Sequence, residues 1–105
     1  MKSKSVIIVC GDPRSTFNEI LVKTLKNKIF KKIKFPIIIV GSKKLFKDEL
    51  KKQKKKFSFQ DFNKKQILQK NNVFIFDIPI NLKKLSLIKK NAYIKKSFEV
   101  GLNLL

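Results

Sequence analysis

The 105-residue sequence has no histidine and no tryptophan, one cysteine, three glycines, three prolines and seven acidic residues. Without histidine the chain lacks the commonest general base near neutral pH and the commonest metal ligand. A lone cysteine forms neither an intramolecular disulfide nor a Cys-x-x-Cys site. These absences argue against a self-contained zinc enzyme, a Ser-His-Asp triad and a disulfide-stapled secreted domain. Long apolar runs are missing too. The longest, Val6 to Cys10 and Ile37 to Val40, fall far short of the ~20 residues of a spanning helix. The basic start Met1-Lys2-Ser3-Lys4-Ser5 precedes too short an apolar stretch for a secretory signal. No membrane association is expected, and a cytoplasmic location would keep Cys10 reduced.

Basic residues are what the sequence has in excess: 26 against the seven acids, a formal net charge of +19. Such a surplus attracts polyanions through counterion release. Of the 26, however, 25 are lysine and only Arg14 is arginine, whereas planar arginine is the usual residue of bidentate phosphate and base recognition. Isoleucine, phenylalanine and asparagine are abundant and alanine is nearly absent, as adenine- and thymine-rich codons would dictate. Most of the charge is therefore read as compositional, leaving non-specific electrostatic binding as the expected link to nucleic acid.

The hydrophobic share of 43% with ten phenylalanines supports one small core, so residues 1–105 are expected to form a single α/β domain. Val6-Ile7-Ile8-Val9-Cys10 reads as a strand buried on both faces, ended by Gly11-Asp12-Pro13. Thr16 and Glu19 have capping-box spacing, and Phe17, Ile20, Leu21, Leu25 and Ile29 recur at helical intervals, which predicts a helix. The unit repeats: a strand over Phe35 to Val40, a turn at Gly41-Ser42, and a helix with Leu45, Phe46, Glu49, Leu50 and Gln53 on one side. Pro36 falls where a missing N–H is tolerated. Phe57, Phe59 and Gln60 suggest a short strand, Asn63 to Asn72 a polar linker, and Val73 to Ile78 a third clear strand ended by Pro79. A last helix runs from about Leu87, capped by Ser86, with Ile88, Ala92, Phe98, Leu102 and Leu105 as its stripe. Alternating strands and helices predict a mostly parallel sheet with helices on its faces, in three layers. The stripe runs to Leu105 without a closing cap, and the chain is expected to be a fragment.

Ligands of open α/β sheets bind beyond the carboxyl ends of the strands. That places Gly11, Asp12 and Arg14 in the candidate cleft loop, where helix-start N–H groups and the guanidinium could receive an anion. Neither a P-loop nor a GxGxxG fingerprint is present, and one glycine followed by Asp-Pro is more often a purely structural turn, so that reading is favoured over functional use of the loop. Asp12 has the usual chemistry of a turn former. Cys10, without a histidine partner, reads as inert and buried. Asp77 could meet Asp12 across the sheet but reads more simply as a polar strand end. Phe57, Phe59 and Phe62 resemble a base-stacking platform, with core packing the favoured alternative. The lysine run 51–56 reads as a solvated helix end.

The segment Val6 to Pro13, with Glu19-Ile20 after it, resembles the opening of the 4-hydroxythreonine-4-phosphate dehydrogenase family, a strand followed by GDPxGIGPE. Gly11, Asp12, Pro13 and Glu19 match; Ser15, Phe17 and Asn18 replace its Gly, Gly and Pro. Ile38 to Ser42 followed by Leu45 is similar to the family's second strand and turn. Asp77-Ile78-Pro79, Ser86, Asn91-Ala92 and Phe98-Glu99 resemble the stretch before its central substrate-binding region. The resemblance implies the incomplete N-terminal portion of an isocitrate/isopropylmalate dehydrogenase-like fold, truncated or degenerate. A full-length member would be a cytoplasmic homodimer of vitamin B6 biosynthesis, oxidising a small phosphorylated substrate with NAD(P) and holding a divalent metal through later histidines. No such histidine exists in this sequence, so no catalytic residue, metal ligand or cofactor contact carries over. The chain alone is expected to be inactive scaffold, its partner a second copy or the remainder of the enzyme. The alternative is a small basic module for nucleic acid or an anionic surface.

Overall fold

The computed structural model describes residues 5–14, 16–27, 35–63 and 73–105. Ile29 of the expected first stripe, Ser15 of the cleft loop and nearly all of the expected linker lie outside them. The described residues form four strands, β1 (Val6–Val9), β2 (Ile37–Gly41), β3 (Gln60–Asp61) and β4 (Val73–Asp77), and three helices, α1 (Phe17–Leu25), α2 (Lys43–Lys52) and α3 (Leu87–Leu104), in the chain order β1-α1-β2-α2-β3-β4-α3. A 3-10 turn at Leu82–Lys84, which the sequence reading did not anticipate, precedes α3.

The sheet has the order β1-β2-β4-β3, and every pairing is parallel. Val6 stands opposite Ile37, and Ile37 opposite Val73. Period-2 alternation then divides the core into two. Ile37, Ile39, Val73 and Ile75 meet Leu21, Val22 and Leu25 of α1 and Phe46 and Leu50 of α2. Ile38, Val40 and Phe74 meet Tyr93 and Val100 of α3 on the other face. The result is the expected three-layer α/β arrangement, since parallel strands need both faces covered. Phe57 and Phe59 stand edge-on to Phe46, with ring centroids 6.5 and 5.3 Å away, so they serve packing. Phe62 tilts over Phe76 at 5.9 Å.

Several expectations need correction. β1 is only half-buried and Val6 is 36% exposed, because the strand lies at the sheet edge; its apolar run does not mark burial on both faces. β2 begins two residues later than expected and includes Gly41, and it is buried throughout. Thr16 occupies the N-cap of α1, but its side chain makes no cap hydrogen bond. Its ψ of 8° is far from the extended backbone that aims a cap oxygen at the first turn. Glu19 instead pairs with Lys23 at 3.4 Å, and Ile20 is 57% exposed.

The largest departure is in α3. The expected stripe of Ile88, Ala92, Phe98, Leu102 and Leu105 faces solvent, while Tyr93, Ser97, Val100 and Gly101 are buried against the sheet. Two details make that face packable. Ser97 Oγ donates to Tyr93 O at 2.8 Å, so its hydroxyl is satisfied within the helix. At Gly101 a Cβ would lie 2.7 Å from Val9 Cγ2, so glycine lets the helix approach β1 closely. No helix among the described residues is long and apolar enough to cross a membrane.

Candidate functional site

The carboxyl ends of β1, β2 and β4 gather the residues that the sequence reading singled out. After β1 the chain turns through Asp12, whose Oδ1 accepts the Arg14 N–H at 2.9 Å, an Asx turn. Its other oxygen, Oδ2, lies 3.6 Å from Lys90 Nζ of α3. Arg14 Nη2 donates to Leu82 O at 3.2 Å, tying the loop to the 3-10 turn 68 residues later. Both charges of this loop are thus engaged. A Cβ on Gly11 would meet nothing within 4 Å, and Gly11 has no positive φ. Neither the packing of the chain nor its backbone conformation therefore requires glycine at this position.

Beside it opens a hollow of about 240 Å³ bordered by Arg14, Leu85, Ser86, Leu87 and Lys90. The first turn of α3 faces it, but Ser86 Oγ already accepts the Lys89 N–H at 3.1 Å. A larger cavity of about 440 Å³ lies between the segment after β4 and α3, with an apolar floor including Ile78, Pro79 and Ala92 and a rim including Lys84, Lys89 and Lys96.

At the end of β2 the packing is tight. A Cβ on Gly41 would lie 2.8 Å from Cys10 Cβ and 3.3 Å from the Tyr93 hydroxyl, so this position accepts no side chain. The Ser42 N–H donates to Tyr93 Oη at 2.7 Å, and Ser42 Oγ accepts the Leu45 N–H at 3.3 Å, capping α2. Tyr93 is the residue sequence reasoning missed. Its signal was available: the chain's one tyrosine lies inside a helix, and a buried phenol must find a hydrogen-bond partner. Burial pushes the Tyr93 hydroxyl up to about 12, and burial likewise pushes the Cys10 thiol up to about 12. Both stay protonated at neutral pH, and Cys10 is a packing group, not a nucleophile.

Asp77, at the end of β4, accepts the Lys43 N–H at 2.9 Å, the role of a polar strand end that also supports the start of α2. Lys43 Nζ reaches Asp61 Oδ1 at 2.6 Å. Asp77 ends β4 and Asp12 lies in the loop after β1, with β2 between those two strands. Among the described residues no group of three or more His, Cys, Asp or Glu is placed to hold a metal ion.

No known family profile and no curated protein sequence matches this chain. Among solved structures it is similar to 4-hydroxythreonine-4-phosphate dehydrogenase from Klebsiella pneumoniae, with a TM-score of 0.72 and 15% identity. That likeness covers 97% of this chain and 33% of the enzyme. It establishes a shared fold, and the chain spans about a third of the enzyme's length.

Proposed function

We propose that this chain is the scaffold portion of a 4-hydroxythreonine-4-phosphate dehydrogenase-like architecture and that by itself it transfers no hydride. The supporting observation is a parallel sheet and helix arrangement shared with that enzyme over 97% of the chain, against a third of the enzyme's length, combined with the residue chemistry at the strand ends. Oxidising an alcohol with NAD(P) moves a hydride to the nicotinamide and a proton to a base, with a metal to polarise the oxygen.

The residues described here do not fit those groups. Asp12 is engaged by Arg14 and Lys90, Tyr93 Oη is buried and accepts the Ser42 N–H, and the sequence has no histidine. The sequence carries neither a P-loop nor a GxGxxG fingerprint for a nucleotide phosphate. What this chain does supply in the proposal is position. The loop with Gly11, Asp12 and Arg14 is the ligand-facing end of the scaffold, and α3 is anchored to it through the Asp12–Lys90 pair. Homodimerisation and a phosphorylated substrate belong to the complete architecture.

The test is direct. Purified chain mixed with NAD or NADP, a divalent metal and 4-phosphohydroxy-threonine is expected to form no reduced nicotinamide. Substrate-dependent NADH or NADPH formation overturns the reading. The competing basic-module reading rests on Lys51, Lys52, Lys54, Lys55 and Lys56, all exposed. It requires RNA, DNA or anionic-vesicle binding that persists at moderate salt and weakens when these lysines are replaced.

A further inference from the structure

The cavity of about 440 Å³ between the segment after β4 and α3 is bordered by Lys84 on one wall and by Lys89 and Lys96 on the other, and no acidic residue lines it. Lys89, Ala92, Tyr93 and Lys96 follow the i, i+3, i+4, i+7 spacing of one helical face. The two lysines therefore flank an apolar centre, with their Cα atoms about 10 Å apart along the helix. Other lysines are engaged within the chain. Lys23, Lys43 and Lys90 pair with Glu19, Asp61 and Asp12, and Lys26 Nζ donates to Lys56 O. Lys84, Lys89 and Lys96 enter no ion pair among the described residues. Asp77, just before this wall, accepts the Lys43 N–H, and Glu99, one turn beyond Lys96, makes no ion pair with it.

The floor is apolar and the walls are held in place. Ala92 is the one alanine of the sequence, and its small side chain leaves room that Ile78, Pro79 and Leu85 border from the other side. The Ile78 N–H donates to Gly41 O at 2.9 Å. Asn81 Oδ1 accepts the Lys83 N–H at 3.0 Å, and Arg14 Nη2 holds Leu82 O, so the wall that carries Lys84 is tied down at both ends. Across the cavity Tyr93 is fixed by the Ser42 N–H. A pre-formed apolar cavity of about 300–1,000 Å³ with a few convergent polar groups is the usual form of a small-ligand site. The adjoining hollow of about 580 Å³ lacks this one-sided charge, because Asp48 lines it together with Lys44 and Lys83.

We propose that this cavity binds a small amphipathic organic anion, an aliphatic or aromatic carboxylate. Its apolar body lies on Ile78, Pro79 and Ala92, and its head is held among Lys84, Lys89 and Lys96. An apolar floor alone accepts any oily molecule and lysines alone accept any anion; the two together select a ligand that has both parts. The lysine stems extend the apolar walls while their ammonium groups stay in water. The charge that matters is local, since it belongs to the lining of one cavity and not to the chain as a whole. The inference is independent of the scaffold reading: reduced-nicotinamide formation would end that reading and leave this one intact.

The test titrates the full chain, labelled with nitrogen-15, with decanoate, with decyltrimethylammonium as the same tail under the opposite charge, with acetate as the head without the tail, and with phosphatidylglycerol vesicles. Decanoate on the order of 1 mM is expected to shift the amides of Asn81, Lys84, Lys89 and Ala92 and to saturate; decyltrimethylammonium and acetate do neither. Ala92→Leu fills the cavity from an exposed helix position, so it keeps the circular dichroism and urea midpoint of the parent yet weakens decanoate by about tenfold or more. Two triple variants remove equal charge. Lys84→Gln, Lys89→Gln, Lys96→Gln should weaken decanoate by about tenfold. Lys51→Gln, Lys52→Gln, Lys55→Gln, at the end of the helix on the other face of the sheet, should leave it within about twofold, because distant exposed charges are screened. Five results overturn the proposal: no shift with decanoate, equal shifts with decyltrimethylammonium or acetate, unchanged decanoate binding in Ala92→Leu, equal weakening by the two triple variants, or binding to vesicles without binding to decanoate, which would make this region a membrane surface.

Discussion

β1 and β2 have nearly the same sequence, Val-Ile-Ile-Val against Ile-Ile-Ile-Val-Gly, and opposite environments. β2 is buried at every position, whereas β1 is half-exposed. The difference comes from strand order, which places β2 between β1 and β4. A β-branched run specifies an extended backbone and an apolar surface. Whether that surface becomes the centre of a sheet or its margin depends on what the neighbouring segments leave for it to pair with.

The sharpest way to break the comparison is to delete the same atoms from both strands. Ile39 is 1% exposed between α1 and α2, and Ile39→Ala should cost about 2–5 kcal/mol. Ile8 stands opposite Ile39 and packs on the same cluster but is half-buried, so Ile8→Ala should cost about half as much or less. Urea titration of both variants measures the gap. Equal losses would mean that β1 is as enclosed in solution as β2.

Gly41 and Gly11 extend the contrast to the strand ends. Gly41→Ala forces a Cβ to 2.8 Å from Cys10 Cβ, an overpacking expected to cost about 1–3 kcal/mol. Gly11→Ala meets open space at an ordinary φ and should be neutral or stabilising by about 0.4–1 kcal/mol through the unfolded chain. Melting temperatures in opposite directions would confirm that the close approach belongs to β2 and not to the loop that carries Asp12.

Cys10, just past β1, gives a pH test of how enclosed that end is. Its thiol is pushed up to about 12 by burial, from an ordinary value of 9.0. Below pH 9 both folded and unfolded chains keep the proton, and the stability is present in full. Between pH 9 and about 12 the unfolded chain loses the proton first, so stability falls as pH rises, by up to about 1.4 kcal/mol per pH unit. Lysines titrate in the same range, so the measurement is a difference: Cys10→Ala should lose less stability than the parent between pH 8.5 and 10.5 or so. Parallel curves would place the thiol in water.

Much of the fold was legible because strand runs and helix intervals are local. β1, β2, β4 and the three helices follow from apolar spacing and turn residues, and Ser42 and Ser86 cap α2 and α3 through their hydroxyls. α3 was misoriented because it has two apolar sides, and the buried one includes Ser97 and Gly101. Their value is relational: Ser97 bonds its own helix and Gly101 admits Val9, neither of which periodicity records. At the candidate site, Gly11, Asp12 and Arg14 are sequence neighbours, and fold topology put their loop at the carboxyl end of β1. The Arg14–Leu82 and Ser42–Tyr93 contacts were not, because they join segments 68 and 51 residues apart.

The smallest effect separates the two ends of α2, the helix over the sheet's centre. Its start is well made, with Ser42 Oγ accepting the Leu45 N–H and Asp77 receiving the Lys43 N–H. Its end closes in a Schellman turn, with Lys54 N donating to Lys51 O and Lys55 N to Leu50 O, and Lys54 is held at φ 54°. That left-handed position normally belongs to glycine, because a Cβ there costs about 1 kcal/mol. Lys54→Gly should therefore stabilise the chain by about 0.5–1 kcal/mol while removing one exposed charge. Lys55→Gly, one residue on and at negative φ, supplies the control: it removes the same charge without relieving strain. If the two variants shift the urea midpoint alike, the gain comes from reduced lysine repulsion; if only Lys54→Gly raises it, backbone strain at the end of α2 is the cause.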